Sequence, residues 1–116
     1  MTHPRRGEIY LVSFDPTVGH EIRKPRPALV IQNDISNEHS PITIVAAISS
    51  KFGDQPRLRE VILPVRSGLP KASAVILNQI RSVDRRRLIK RMGAVDSATM
   101  RRINEALMVS LGLIDF

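Results

Sequence analysis

The stretch EIYLVSF, residues 8–14, is rich in strand-forming residues and ends at the turn pair Asp15-Pro16. Four further runs of this kind follow, at residues 28–31, 43–48, 59–65 and 74–80, and alternation of polar and apolar residues extends the last run to Val83. Segments rich in Pro, Gly, Asn, Asp and Ser separate them, and we interpret residues 33–37 and 67–70 as turns or loops. Several short strands at this spacing predict a small barrel or sandwich.

The end of the chain has a different pattern. Asp96-Ser97 is a favourable helix start, and Gly112 stands where a helix-terminating glycine is expected. Between them, apolar residues recur with the three–four spacing of an amphipathic helix, at Met100, Ile103, Leu107 and Leu111. A short helix is also expected after Asp84. We therefore expect one domain over residues 1–116, a strongly bent sheet closed or covered by a C-terminal helix.

The composition points to a polyanionic partner. The 116 residues include 18 Lys and Arg against 11 Asp and Glu, a net charge of +7. Nucleic acid, an acidic protein and an anionic membrane all fit this charge. The absence of cysteine excludes thiolate nucleophiles and disulfides and fits a reducing cytosol. No signal peptide and no membrane-length apolar run is found, so we expect a cytoplasmic protein that does not engage a membrane.

The sequence carries none of the common metal or nucleotide motifs. Its three histidines, His3, His20 and His39, do not have ligand spacing. No phosphate-binding glycine loop and no GxSxG nucleophile motif occurs. We therefore expect neither a metal ion nor a cofactor.

Residues 19–27, GHEIRKPRP, form an unusual loop between two predicted strands. The loop combines one carboxylate, three cations and two prolines. Pro25 and Pro27 flank Arg26 and restrict its backbone, because a residue before proline is pushed into extended geometry. An arginine whose freedom is already reduced is an effective phosphate clamp.

RNA cleavage would use such a clamp. When a ribose 2′-OH attacks the adjacent phosphorus, negative charge builds on the non-bridging oxygens, and a guanidinium matches those oxygens. Glu21 is the nearest candidate base in the sequence. Ser49 or Ser50, at the end of the third run, could supply a second phosphate donor, and Phe52 is the best candidate for stacking on a base.

Nearly the whole chain resembles the MazF/PemK group of toxins, the ribonuclease half of bacterial toxin–antitoxin pairs. The resemblance rests on short segments that occur in order and at matching spacing: RGEIY at 6–10, DPTVGHE at 15–21, RPALVIQND at 26–34, IVAAIS at 44–49, QIRSVD at 79–84 and SLGLIDF at 110–116. It implies a mainly β (α+β) fold, an SH3-like, strongly curved β-barrel with a C-terminal α-helix, acting as a homodimer. It also implies metal-independent, sequence-specific cleavage of single-stranded RNA, chiefly mRNA, that leaves 2′,3′-cyclic phosphate and 5′-OH ends.

The resemblance also assigns roles. The catalytic arginine falls on Arg26, the catalytic hydroxyl on Ser49 and an acidic residue used by some members on Glu21. We expect the RNA-binding residues to be His20, Arg23, Lys24, Asn33, Ser50, Phe52, Gln79 and Arg81. The implied partner is an antitoxin whose acidic, disordered C-terminal segment folds over the basic groove.

Two departures from the family pattern stand out. Many relatives have glycines where this chain has Arg23-Lys24-Pro25, which makes the loop stiffer and more basic. Ser49 replaces threonine, so that the hydroxyl is kept without the methyl group that limits its rotamers, and we expect a less fixed donor.

Other functions remain open at this point. A CcdB-like toxin shares the fold but binds DNA gyrase without nuclease chemistry, and it would use the C-terminal residues 113–116 as its contact surface. A plain RNA-binding barrel without turnover is a third interpretation. Within the nuclease interpretation, either Arg26 or Glu21 could take the 2′ proton.

Overall fold

The computed structural model describes residues 3–14, 25–52, 59–64 and 67–115. It contains six strands and two α-helices. In chain order they are β1 (Glu8–Val12), β2 (Arg26–Val30), α1 (Asp34–His39), β3 (Ile42–Ser49), β4 (Glu60–Ile62), β5 (Ala74–Asp84), β6 (Leu88–Ala94) and α2 (Ser97–Ser110), with a 3-10 turn at Arg85–Arg87 before β6.

The strands form one antiparallel sheet in the order β4-β5-β3-β2-β1-β6. Strand β5 bulges where it pairs with β3, because Ala46 lies opposite Ile80 whereas the next residue, Ala47, lies opposite Ile76. Extra residues on one strand of a pair bend that strand and increase its twist. The sheet is therefore strongly curved, and in the part of the chain that is described it ends at two edges, β4 and β6, rather than closing.

Each face of the sheet carries an apolar cluster. On one face Ile9, Leu29, Ala46 and Leu77 pack with Ile103 of α2. Residues one step along the strands point the other way, since side chains alternate in a strand. They form a second cluster, of Val12, Phe14, Ala28, Val30, Val45 and Val83. We call this second side the Arg26 face, because Arg26 lies two residues before Ala28 and four before Val30 in β2 and therefore shares their face.

The structure confirms the predicted curved sheet and C-terminal helix but corrects two local expectations. Residues 33–37 are not a simple loop, because helix α1 begins at Asp34. Asn33 caps it by accepting a 2.8 Å hydrogen bond from the backbone N–H of Ser36. The fully buried Asn37 then ties α1 to β3 through a 2.7 Å bond from the Thr43 hydroxyl.

The expected helix after Asp84 is limited to the 3-10 turn, and strand β6 follows at once. Asp84 caps that turn by accepting a hydrogen bond from the backbone N–H of Arg86. Strand β6 is mostly exposed and lies at an edge, so its sequence lacks the apolar alternation that indicates a strand. Its conformation is imposed by pairing with β1.

No helix in the described parts of the chain is long and apolar enough to cross a membrane.

Candidate active site

Arg26 is the first residue of β2, and its backbone position is fixed by the sheet. It pairs with Val12 of β1, while its side chain is exposed. Pro25 precedes the strand and Pro27 is its second residue, opposite Leu11. The predicted restriction of Arg26 between two prolines is thus reinforced by strand pairing, and its guanidinium is free to meet a ligand at the sheet's rim.

The strand register brings Ser49 to Arg26. Strands β2 and β3 pair antiparallel, with Ala28 opposite Ala47 and Leu29 opposite Ala46. Continuing this register by two residues sets Arg26 opposite Ser49, the last residue of β3. Directly opposed residues project to the same face, with Cβ atoms about 4.5–5.5 Å apart in a regular pair. On this extended register the predicted arginine and hydroxyl would be neighbours on the Arg26 face.

The Ser49 hydroxyl is held by the turn that follows β3. Its Oγ accepts a 3.0 Å hydrogen bond from the backbone N–H of Lys51 and donates to the Lys51 carbonyl at 3.3 Å. These two bonds orient the Ser49 side chain toward the Lys51 backbone. The donated bond is long, and exchanging it for a bond to a phosphate oxygen therefore costs little.

A cavity of about 120 Å³ opens beside Arg26. Its described lining is Arg26, Pro27, Ile48, Ser50, Leu69, Pro70, Lys71 and Ser73. A single water molecule needs about 10–15 Å³ of such space, so the cavity has room for a phosphate group. Ser50 shares this cavity with Arg26, whereas Ser49 is not among the described lining residues and is related to Arg26 only by the extended strand register. The two serines, which sequence reasoning left as alternatives, thus occupy different positions around the guanidinium.

The loop at residues 67–73 forms one wall of the cavity and is pinned to strand β6. Gly68 adopts a positive φ of 94°. A Cβ on Gly68 would collide with the backbone carbonyl of Met92, and a Cβ on Gly93 would collide with that of Ser67. The two backbones therefore touch directly where the glycines cross. The sequence identified residues 67–70 as a loop but gave no sign of its contact with Gly93.

Arg81 of β5 joins the Arg26 face from the neighbouring strand. It pairs with Val45 of β3, whose side chain is on this face. Its guanidinium lies 5.4 Å from the centroid of the Phe14 ring, a cation–π geometry that orients it. Gln79 is exposed and falls in the bulge of β5. Both predicted residues of this strand are thus on or beside the curved part of the sheet.

The other predicted site residues are less closely grouped. Asn33 lies beyond the opposite end of β2 from Arg26, where its side chain caps α1. Phe52 is half-buried after the Lys51 turn. Four predicted residues lie outside the described residues: His20, Glu21, Arg23 and Lys24.

A polar cluster on the Arg26 face escaped the sequence analysis. Arg91 Nε donates a 2.6 Å hydrogen bond to Glu8 Oε2, and the Tyr10 hydroxyl lies 3.4 Å from Glu8 Oε1. Burial raises the pKa of Tyr10, and the Glu8 carboxylate raises it further. Tyr10 is therefore a neutral phenol at physiological pH. Pairing of β1 with β6 creates this cluster, so the sequence spacing gave no signal for it.

Within the described ranges, no group of three or more His, Asp or Glu side chains is placed to hold a metal ion. The described polar residues that line the cavity beside Arg26 carry guanidinium, ammonium and hydroxyl groups. Such groups bind phosphate and stabilise its developing charge.

Comparison with known proteins identifies the family. The model of the PemK-like, MazF-like toxins of type II toxin–antitoxin systems matches residues 5–111. Endoribonuclease EndoA of Bacillus subtilis (strain 168) is 41% identical over 113 residues, which are 97% of this chain and 97% of that protein. The chain belongs to the PemK-like, MazF-like toxin family.

Solved structures agree in fold. An endoribonuclease in complex with its cognate antitoxin from a mycobacterial species gives a TM-score of 0.82 at 23% identity, over 97% of this chain and 99% of that one. MazF from Deinococcus radiodurans gives 0.80 at 24% identity, over 97% and 99%. The predicted family, curved fold and toxin class are confirmed, and the name of the Bacillus relative agrees with the predicted endoribonuclease activity. The CcdB-like alternative is not favoured.

Proposed function

We propose that residues 1–116 form one toxin domain that cuts single-stranded RNA, chiefly mRNA, at a short sequence motif without a metal ion. The observation that supports this proposal is the register of β2 and β3, with Ala28 opposite Ala47; continued by two residues to the rim of the sheet, this register would set Arg26 opposite Ser49. A guanidinium and a hydroxyl in that arrangement can hold two oxygens of one phosphate. The 41% identity to a protein named as an endoribonuclease supports the same reaction.

The reaction is an internal transfer at phosphorus. The ribose 2′ oxygen attacks the neighbouring phosphate, the new bond from phosphorus to O2′ forms, and the bond from phosphorus to O5′ breaks. The products are a 2′,3′-cyclic phosphate and a 5′-OH. A base takes the proton from the 2′-OH, and an acid gives one to the departing 5′ oxygen. Glu21 and Arg26 are the candidates for the base, and Glu21 is the one that fits a charged Arg26 clamp, because a protonated guanidinium has no acceptor atom for the 2′ proton.

Arg26 and Ser49 act on the charge that develops. The guanidinium donates two parallel hydrogen bonds to non-bridging oxygens, and the Ser49 hydroxyl turns from Lys51 to donate a third. A preorganised donor at such a charge stabilises the transition state by about 3–4 kcal/mol. Both donors are already positioned by strand pairing and by the Lys51 turn, so little freedom is lost when RNA binds.

The remaining predicted residues would hold the RNA strand on either side of the cut phosphate. Arg81, oriented by Phe14, and Gln79 stand on the strand next to β3. Phe52 would stack on a base, and the others would bind phosphates or base edges; they are His20, Arg23, Lys24, Asn33 and Ser50.

The partners follow from the same surface. A net charge of +7 attracts an acidic, disordered antitoxin segment as well as RNA, and that segment would compete with RNA for the basic groove. Relatives of the same fold are described in complex with a cognate antitoxin. We also propose a homodimer, and a cytoplasmic location because mRNA is the substrate.

The test uses purified protein and a long single-stranded RNA in EDTA, with the 5′ ends of the products mapped. Discrete cuts are expected with the wild type, and Arg26→Ala should lower their rate by about 10²–10³-fold, the cost of losing one oxyanion donor. Arg101→Ala removes the same charge from the exposed outer side of α2 and should cut normally. Intact RNA with folded wild-type protein would overturn the proposal, and a gyrase supercoiling assay would then examine the CcdB-like activity.

A further inference from the structure

A second positively charged side chain lines the cavity beside Arg26, and it was not among the predicted site residues. Lys71 lies in the loop at residues 67–73 and lines the cavity together with Arg26. No acidic side chain is among the described residues that line the cavity. The cavity therefore presents two positive charges to whatever enters it, and an anion is the complementary ligand.

The backbone that carries Lys71 is fixed rather than left as a loose surface loop. The Ser73 hydroxyl donates a 2.9 Å hydrogen bond to the Lys71 carbonyl. The Ser73 carbonyl in turn accepts a 2.9 Å bond from the backbone N–H of Leu63, just after β4. At the other end, the crossing of Gly68 with Gly93 anchors the loop to β6. The backbone of Lys71 is thus held in place, while the Lys71 side chain is exposed to solvent.

We propose that Lys71 is a phosphate-binding residue for single-stranded RNA, so that the cavity holds a backbone phosphate between Lys71 and Arg26. This inference rests on the proposed function, because it supplies RNA as the ligand. The cavity has room for a phosphate group, and Ser50, whose hydroxyl is a neutral hydrogen-bond donor, lines it together with the two cations. An ammonium group on a flexible stem binds phosphate as a point charge, whereas Arg26 supplies the directional fork.

The effect can be measured as a salt dependence. For single-stranded nucleic acid, each phosphate contact by a cation adds about 0.7 to the slope of log K against log salt concentration. Losing one contact should therefore weaken binding about 8-fold at 50 mM salt and about 3-fold at 200 mM if counterion release is the whole effect.

The experiment measures the affinity of wild-type protein for a fluorescent single-stranded RNA whose 2′-OH groups are replaced by 2′-fluoro, so that it cannot be cut. Lys71→Ala should lower the slope by about 0.7, and Lys71→Arg should keep the wild-type slope. Arg101→Ala is the matched control, because it removes one exposed positive charge from α2, outside the cavity. Lys71→Gln keeps most of the side-chain stem and replaces the alanine variant if thermal melting shows that the latter is unfolded.

Two results would overturn the inference: a wild-type slope in Lys71→Ala and Lys71→Gln, or an equal slope loss in Arg101→Ala. The affinity assay needs no cleavage. A failure of wild-type protein to cut natural RNA would count against the proposed nuclease, whereas an unchanged slope would count against Lys71.

Discussion

Replacing Gly93 by alanine should weaken both the fold and the RNA site, although Gly93 does not line the cavity. The added methyl group would collide with the backbone carbonyl oxygen of Ser67, an atom that cannot rotate away as a side chain could. Overpacking of this kind costs about 1–3 kcal/mol. Alanine recovers about 0.5–1 kcal/mol of backbone entropy relative to glycine. Because the obstacle is backbone, we expect the upper part of this range, a net loss of about 2 kcal/mol in the free energy of unfolding.

Two other glycines separate steric collision from backbone strain. Gly112 has a φ of 72° but nothing within 4 Å of an added Cβ, so Gly112→Ala reports only the left-handed backbone, which costs about 1–2 kcal/mol before the entropy gain. Gly68 has both a φ of 94° and a collision with the Met92 carbonyl. Gly68→Ala should therefore be the most destabilised variant of the three, and Gly112→Ala the least.

The assay is thermal unfolding followed by circular dichroism, with urea unfolding of the same variants. Since unfolding entropy is about 2 cal/mol/K per residue, a loss of 2 kcal/mol lowers the Tm of a chain this size by about 8 °C. Gly93→Ala should also lower RNA affinity, because the wall that carries Lys71 is displaced from β6. A Gly93→Ala protein as stable as the wild type would refute the direct contact between the two backbones.

Three further variants test other parts of the structure. Asn37→Ala leaves buried hydrogen-bonding partners unsatisfied and should cost about 3 kcal/mol in urea unfolding, whereas a loss near zero would mean that water replaces the amide. Glu8→Gln should lower the pKa of Tyr10 toward its ordinary value without reaching it, because burial is the main cause of the raised pKa. Since Tyr10 is the single tyrosine, ultraviolet titration of the protein measures its pKa directly, and an unchanged midpoint would contradict this expectation. Because a raised pKa favours the protonated form of the folded protein, the associated stability is present at neutral pH and is lost as the pH rises through that pKa. Ser49→Ala should lose more RNA cleavage than Ser50→Ala, and equal losses would contradict the choice of hydroxyl.

Much of the fold was predictable because burial leaves a pattern in the sequence. Strands β1, β2, β3 and β5 are strong apolar runs, and α2 shows its buried face at three–four spacing. Strand β6 and helix α1 were missed for a common reason. Both are short or exposed, and tertiary partners fix their conformation: pairing with β1 for β6, and the buried Asn37 for α1.

The sequence predicted those features of the candidate site that depend on neighbouring residues in the chain. It did not predict the features that depend on contacts between distant segments. The prolines around Arg26 showed from sequence alone that this arginine is restrained. The neighbour of Arg26 in strand register, Ser49, could be assigned only through the family resemblance. Lys71 gave no sequence signal, because its place beside Arg26 depends on the Gly68–Gly93 crossing, which links two segments that are far apart in the chain.

The central claim is that the ribose 2′ oxygen of the RNA, and not metal-activated water, attacks the phosphate beside Arg26. The chemical form of the product ends tests this most directly. Mass spectrometry of RNA cut in EDTA should show 3′ fragments that begin with 5′-OH and 5′ fragments that end in 2′,3′-cyclic phosphate, and a 2′-deoxy nucleotide at the cut site should abolish cleavage there. Products with 5′-phosphate and 3′-OH ends, or cleavage that survives the 2′-deoxy substitution, would contradict the account.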